Sequence, residues 1–323
     1  MPESNQKFDV EDHDNLKLFL EKIKIWISWF KLETENSITS QIMDMVWEEA
    51  IFRVANEIRR IRENRPDEGL GINGPLSSLL DRGYVNLQST AIRRLIDTYQ
   101  DRSPRKGTSE GRDVISLSRL LREFKEEDNH KLFTRENYVC SDGLPYDYAP
   151  LEEESLKKEL SSAPRKGPFW GKIQPWQFSQ MRHETFDKLS VKKPDNRSRG
   201  DLIKSEIFDR LTKELEVCKD IKIFVDKYIA HSADPNNLIA LNDDQRGVTL
   251  DRIEECHKNI WMVANCIYGE ILGESVLGTF PTPQFDHLEN LEKAWINKDE
   301  IEELQAFWDQ HVHKVDNWPD YPI

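Results

Sequence analysis

Long apolar runs are missing from this chain of 323 residues. The most apolar stretch, "LFLEKIKIWISWF" (Leu18 to Phe30), is interrupted by Glu21, Lys22 and Lys24 and is too short to span a bilayer. No membrane segment is therefore expected. Cysteine is scarce as well: Cys140, Cys218, Cys256 and Cys266 show no CxxC spacing, which excludes a disulfide framework and a zinc knuckle. The N-terminus shows no basic region followed by an apolar core and a small-residue cleavage site, so the expectation is a reduced, cytoplasmic protein. Positive charge is in deficit, with 45 Lys and Arg against 59 Asp and Glu and a formal charge of -14. The chain as a whole repels polyanions, so any nucleic-acid contact has to come from a local basic patch. Alternating strand patterns longer than a few residues and internal repeats are also absent.

What is present is helical periodicity. Leu16, Phe19, Leu20, Ile23, Ile27 and Phe30 recur at three- and four-residue spacing, and a second stripe runs through Ile42, Val46, Ala50 and Val54. The two predict an N-terminal hairpin of helices. "NGPLSSLLDRGYVNLQSTAIRRLIDTYQ" and "DVISLSRLLREFKEE" predict two more, separated by a polar loop. Loop and following helix collect Arg102, Arg105, Lys106, Arg112, Arg119 and Arg122, the best local basic patch in an acidic chain and a candidate RNA-binding surface.

Between Arg135 and Arg199 the pattern breaks. Only "LEEESLKKEL" and the stretch from Phe178 to Leu189 read as helix, and the remainder, with Trp170 and Trp176, is expected to lie over the surface as an irregular insertion. A long apolar face resumes with Leu202, Ile203, Ile207, Leu211 and Leu215 and continues to Ile229, with Pro235 closing the helix. "TLDRIEECHKNIWMVANCIYGEIL" supplies a last core helix, and two short helices are expected in "DHLENLEKAWI" and "KDEIEELQAFWDQHVHKV". The expected organisation is an N-terminal helical extension at 1–36, a helical domain at 37–275 with the insertion at about 136–198, and a helical tail at 276–323.

The stretch with chemical potential is "IFVDKYIAHSADP", Ile223 to Pro235. Lys227 and His231 are four apart and share a helix face. An imidazole beside a cation can move a proton near neutral pH while the cation neutralises a phosphate, the minimum apparatus of a metal-independent ribonuclease. The competing reading is a helix exit: a histidine near a helix C-terminus suits the dipole, and Ser, Asp and Pro suit the stop. The "HVH" at His311 to His313 and the pair Cys256 and His257 do not put metal ligands on one face, and "GLGING" (Gly69 to Gly74) lacks the preceding strand that a phosphate loop needs. Neither metal nor cofactor is expected.

The long helix ending in "DKYIAHSADP", preceded by "NLQSTAIRRLID" and "DVISLSRLLREF", resembles the HEPN superfamily, and within it the AbiU-like abortive-infection proteins of bacteria; "LFTRENYVCSDGLPYDY" is similar to the segment which that branch places between its helix pairs. The resemblance covers about residues 40 to 270. It implies an all-α fold, a four-helix up-and-down bundle that pairs as a homodimer, with RNA or a partner toxin or antitoxin as the binding partner. It also implies phage defence or a toxin system by metal-independent RNA cleavage, with His231 as general acid or base. Family members carry an Arg before the His with four to six residues between them. Those positions here are Asp226, Val225 and Phe224, none basic, and Lys227 is the nearest cation. Lysine lacks arginine's bidentate fork, so Arg93 or Arg94, on the neighbouring helix, is the candidate source of a guanidinium, with Asp226 expected to orient the imidazole or hold the motif together. The missing Arg keeps a second reading open, a non-catalytic protein that binds RNA, a nucleotide or a partner protein.

Overall fold

A computed structural model describes residues 8–32, 36–63, 73–98, 114–161, 174–230, 234, 241–275, 285–291, 293 and 298–318. The described residues are helical, with one isolated bridge, Thr134 to Leu202, and no strand. No helix among them is long and apolar enough to cross a membrane.

α1 (His13–Ser28) starts where the Asp12 carboxylate accepts the Asn15 N–H, a side-chain cap. Its stripe does not form a hairpin with the next helix. It packs instead on α4 (Leu117–Lys125) and the segment around Phe133, where Trp26 stacks on Phe133 at 5.4 Å and meets Phe124 edge-on at 4.9 Å. Burying the indole required a partner for its N–H, and the Glu123 carboxylate accepts it at 2.9 Å. The residues expected to be a peripheral extension thus supply Phe19, Trp26 and Phe30 to the main core.

Four long segments make the rest of the framework: α2 (Ile38–Glu63), α3 (Gly74–Ile96), the run from α9 (Ser205–Glu214) to α10 (Lys219–Phe224), and α12 (Leu250–Asn265). Between α9 and α10 lies one turn of 3-10 helix (Leu215–Cys218), and a π-helical turn (Val225–Ile229) follows α10. A second π turn (Cys266–Ile271) ends α12. Polar contacts give the directions. Arg59 reaches Asp81 while Glu48 reaches Gln88, so α2 and α3 are antiparallel. Arg93 meets Asp226 and Asp97 meets Lys222, so α3 and α10 are antiparallel. α12 runs antiparallel to α2 through His257–Glu49 and Glu254–Arg53, and to the α9–α10 run through Asn259–Glu214 and Arg252–Asp220. Ile92, Leu95, Ile221, Ile253, Cys256 and Ile260 are fully buried between them.

Part of the segment expected to lie over the surface enters the core, while residues 149–158 and 191–196 stay at the surface. α6 (Arg135–Cys140) is buried at every position, and α7 (Ala149–Ser161) and α8 (Pro175–Ser190) coincide with the two predicted helices. The reason is Arg135, whose side chain is fully buried. Its Nη1 donates to Asp187 at 2.8 Å, Nε to Asp201 at 3.1 Å and Nη2 to the Ser190 hydroxyl at 3.2 Å. Burial pushes the Asp187 carboxyl up, but hydrogen bonds from Arg197 and Arg135 more than offset it and leave the pKa below the usual carboxylate value. α5 (Glu127–His130) and α11 (Asp243–Arg246) are short connectors.

In the C-terminal part, the described residues of "DHLENLEKAWI" form turns rather than a helix, and Phe285 and His287 lie edge-on to Trp47 of α2. α13 (Ile301–Asp316) is a helix with no buried residue.

Removing a buried charge partner leaves the others uncompensated. Arg135→Met is expected to lower unfolding free energy by about 3–5 kcal/mol, read as a lower urea midpoint, with loss of protease resistance in residues 135–203. An unchanged midpoint would contradict the central role given to Arg135.

Candidate functional site

Two faces carry clustered charge. The first lies where the end of α3 meets α10 and the π turn. Ile92, Leu95 and Ile96 turn inward, which leaves Arg93 on the flank facing α10. Residues 93 and 97 share a face, as do 222 and 226, and antiparallel packing stacks the two pairs. Arg93 Nε donates to Asp226 at 2.6 Å, Lys222 Nζ donates to Asp97 at 3.2 Å, and Arg93 lies 4.0 Å from Asp97. The result is an alternating quartet, each member about one-quarter to one-third exposed.

Lys227 is the next residue on the π turn. It is half-buried and has no ion-pair partner among the described residues. The turn is π because the Ala230 N–H reaches back five residues to the Val225 carbonyl at 2.8 Å. Such bulges re-aim side chains relative to a regular helix and are frequent at functional sites. Phe224 and Tyr228 stack at 5.2 Å on the same segment, and Tyr228 is exposed. His231, one turn further on, lies outside the described residues.

The sequence-predicted residues therefore divide. Arg93 and Asp226 come together, and Lys227 follows Asp226 on the π turn. Arg94 does not join them: its Nη2 donates to the Asn36 side chain at 2.7 Å on another flank. Asp226 holds a guanidinium. Arg102, Arg105, Lys106 and Arg112 lie outside the described residues. Arg119 is engaged within the fold, donating to Glu123 at 2.8 Å and to the Val114 carbonyl at 3.2 Å with its guanidinium 4.4 Å above the Trp29 ring.

The second face was missed by reading the sequence. There α2, α3 and α12 bring together Glu48, Glu49, Arg53, Tyr84, Gln88 and His257. His257 Nδ1 lies 2.6 Å from Glu49 Oε2, while its buried Nε2 has no partner among the described residues. The hydrogen bond from His257 is the main reason that the Glu49 carboxyl is held down to about 2, against burial. Burial, then the neighbouring Asp44, pushes Glu48 up, and burial pushes the Tyr84 hydroxyl up. Cys256, paired with His257 in the metal reading of the sequence, instead adjoins Cys218 in the core, where that contact and burial raise the Cys218 thiol pKa. Nothing in the sequence marked Glu49 and His257, 208 positions apart, as neighbours. No group of three or more His, Cys, Asp or Glu able to hold a metal ion occurs among the described residues.

Chemically the two faces differ. A guanidinium has five N–H donors; Asp226 takes Nε of Arg93 and Asp97 lies 4.0 Å from Nη1, so Nη2 has donors left for an anion. The Glu49–His257 pair is nearly enclosed and clamps α2 to α12. Comparison with models of known protein families, with curated proteins and with solved structures finds no match for this chain.

The depressed Glu49 carboxyl makes stability depend on pH. Because the folded value lies near 2 and the ordinary value near 4.5, the contribution is complete above pH 4.5 and is lost as pH falls towards 2. Glu49→Gln is expected to cost about 1–2 kcal/mol at neutral pH after allowance for solvent screening, with the difference from the parent shrinking through that acid window in urea titrations.

Proposed function

We propose that the chain is a HEPN-like, AbiU-type protein of bacterial phage defence or a toxin system that acts on RNA without metal. In this reading the four antiparallel segments α2, α3, α9–α10 and α12 are the up-and-down bundle, and the end of the α10 segment carries the motif. His231 is the general acid or base. Lys227 and Arg93 hold the phosphate, and Asp226 holds Arg93 in place. The observation that carries the reading is the 2.6 Å contact between Arg93 and Asp226, which supports Arg93 as the guanidinium for a segment lacking its own Arg. Arg94, turned to Asn36, is left out of the phosphate contact, and Arg119 out of the RNA-binding patch. RNA contacts from Arg102, Arg105, Lys106 and Arg112 belong to the same reading, as do a homodimer and a cytoplasmic location.

A second reading is favoured by the same ion pair. With Asp226 already neutralising Arg93, Lys227 is the cation of this segment left without an ion-pair partner among the described residues, which suits a protein that binds RNA or a partner toxin or antitoxin without cutting.

Digestion of total RNA and tRNA by purified protein in chelator separates the two. Under the first reading the parent cleaves, His231→Ala abolishes cleavage, and Lys227→Ala or Arg93→Ala slows it about 10- to 100-fold, the loss of one charged phosphate contact. RNA binding by the parent without cleavage, weakened in Lys227→Ala, would establish the second reading. Cleavage that survives His231→Ala would overturn the first.

A further inference from the structure

α13 has the composition of a helix that needs a partner and packs on none among the described residues. Ile301, Leu304, Trp308, His311, Val315 and, just past its end, Trp318 recur at alternating three- and four-residue intervals, an unbroken seam of the kind that two helices share in a coiled coil. The seam is open: Ile301 is 52% exposed, Trp308 63% and Trp318 65%. Phe307, beside it, is 67% exposed. Isolated apolar residues on a surface are ordinary, but a continuous stripe of this length marks an interaction site.

We infer that α13 pairs antiparallel with α13 of a second copy of this chain. The flanking charges and rings select that occupant and that direction. Glu300 and Lys314 lie on the same edge of the seam, at opposite ends of the helix. In an antiparallel pair centred on Phe307, Glu300 of one copy faces Lys314 of the other at both ends, and the two Phe307 rings meet on the two-fold axis. The core layers are then Leu304 against Trp308 twice and Ile301 against His311 twice. A parallel pair would bring Glu300 and Lys314 against neither each other nor any opposite charge on that edge, since the residues across from them are Gln305 and the chain beyond Trp318. The acidic first turn (Glu302, Glu303) and basic last turn (His313, Lys314) reinforce the same choice, because head-to-tail overlap also aligns the two helix dipoles favourably. Helices of 16 residues are marginal alone, so association and ordering of α13 are coupled. This contact is separate from any pairing through the core helices that the RNA-directed reading implies, and it stands whether or not that reading holds.

Sedimentation velocity of the full chain across about 1–100 µM, a range suited to an interface of this size, tests the inference. The parent is expected to self-associate through this contact at the upper end, to a dimer if it is the sole contact and to a larger species if the core helices also pair. Leu304→Glu combined with Trp308→Glu is expected to lower the association constant at least about 100-fold. Neither side chain is buried, so at concentrations below the association range the circular dichroism melting temperature should match the parent's. Lys314→Glu should weaken association about 3- to 10-fold, as expected for one exposed ion pair present twice, and Glu300→Lys added to Lys314→Glu in the same chain should restore it. A parent that stays monomeric, a Leu304→Glu, Trp308→Glu variant that associates like the parent, or a double charge reversal that fails to restore association would overturn the inference. In the second of these cases a dimer formed through the core helices would survive, so the two contacts are told apart.

Discussion

The buried guanidinium of Arg135 sets the architecture of the middle of the chain. A charge at zero exposure is tolerated only when its donors are matched, and the matching acceptors lie 48 to 66 positions further along the chain: the His183 carbonyl, Asp187, Ser190 and Asp201. Satisfying them draws α6, α8 and the segment leading into α9 to one point. Once α8 is drawn in, Phe186 and Leu189 bury against Tyr138, whose hydroxyl donates to the Glu270 carbonyl at 2.6 Å at the end of α12. The chain between Arg135 and Arg199 therefore serves as a brace between the α1–α4 aromatic cluster and the long helices.

That brace bears on the candidate site through α9. Lys204 donates its backbone N–H to the Leu189 carbonyl, and Ile203 donates to Phe133, so the start of the α9–α10 run is fixed by the Arg135 region. Its other end is fixed by the charged quartet on α3. Between these anchors the run changes from α to 3-10, back to α and then to π, with Leu215, Cys218, Ile221 and Val225 buried along it and Asp226 meeting Arg93.

How much of this could be read in the sequence follows from range. The helices were legible wherever one apolar stripe met one neighbour, as in α1, α3, α9 and α12. That Arg93 rather than Arg94 faces α10 was not legible, because two adjacent arginines differ only in which one the buried Ile92 and Leu95 leave on that flank. The role of 135–199 was misread as peripheral because its defining residue is a charge, and a burial pattern built on apolar residues gives no sign that an arginine is interior. The expected hairpin of α1 with α2 failed for a related reason: Trp26 and Phe19 found a larger aromatic surface in Phe124 and Phe133 than α2 offers. The Glu49–His257 pair and the openness of the α13 seam depend on contacts made, or left unmade, far along the chain.

The central claim is that the face shared by α3 and the α10 π turn is where RNA meets this protein. The most direct measurement is amide hydrogen exchange of the intact chain with and without a single-stranded RNA at low salt. Added protection concentrated in residues 219–230 and 89–97 is the result the account predicts. Protection confined to the α2–α12 face around His257, or none at RNA concentrations that saturate binding, would contradict it.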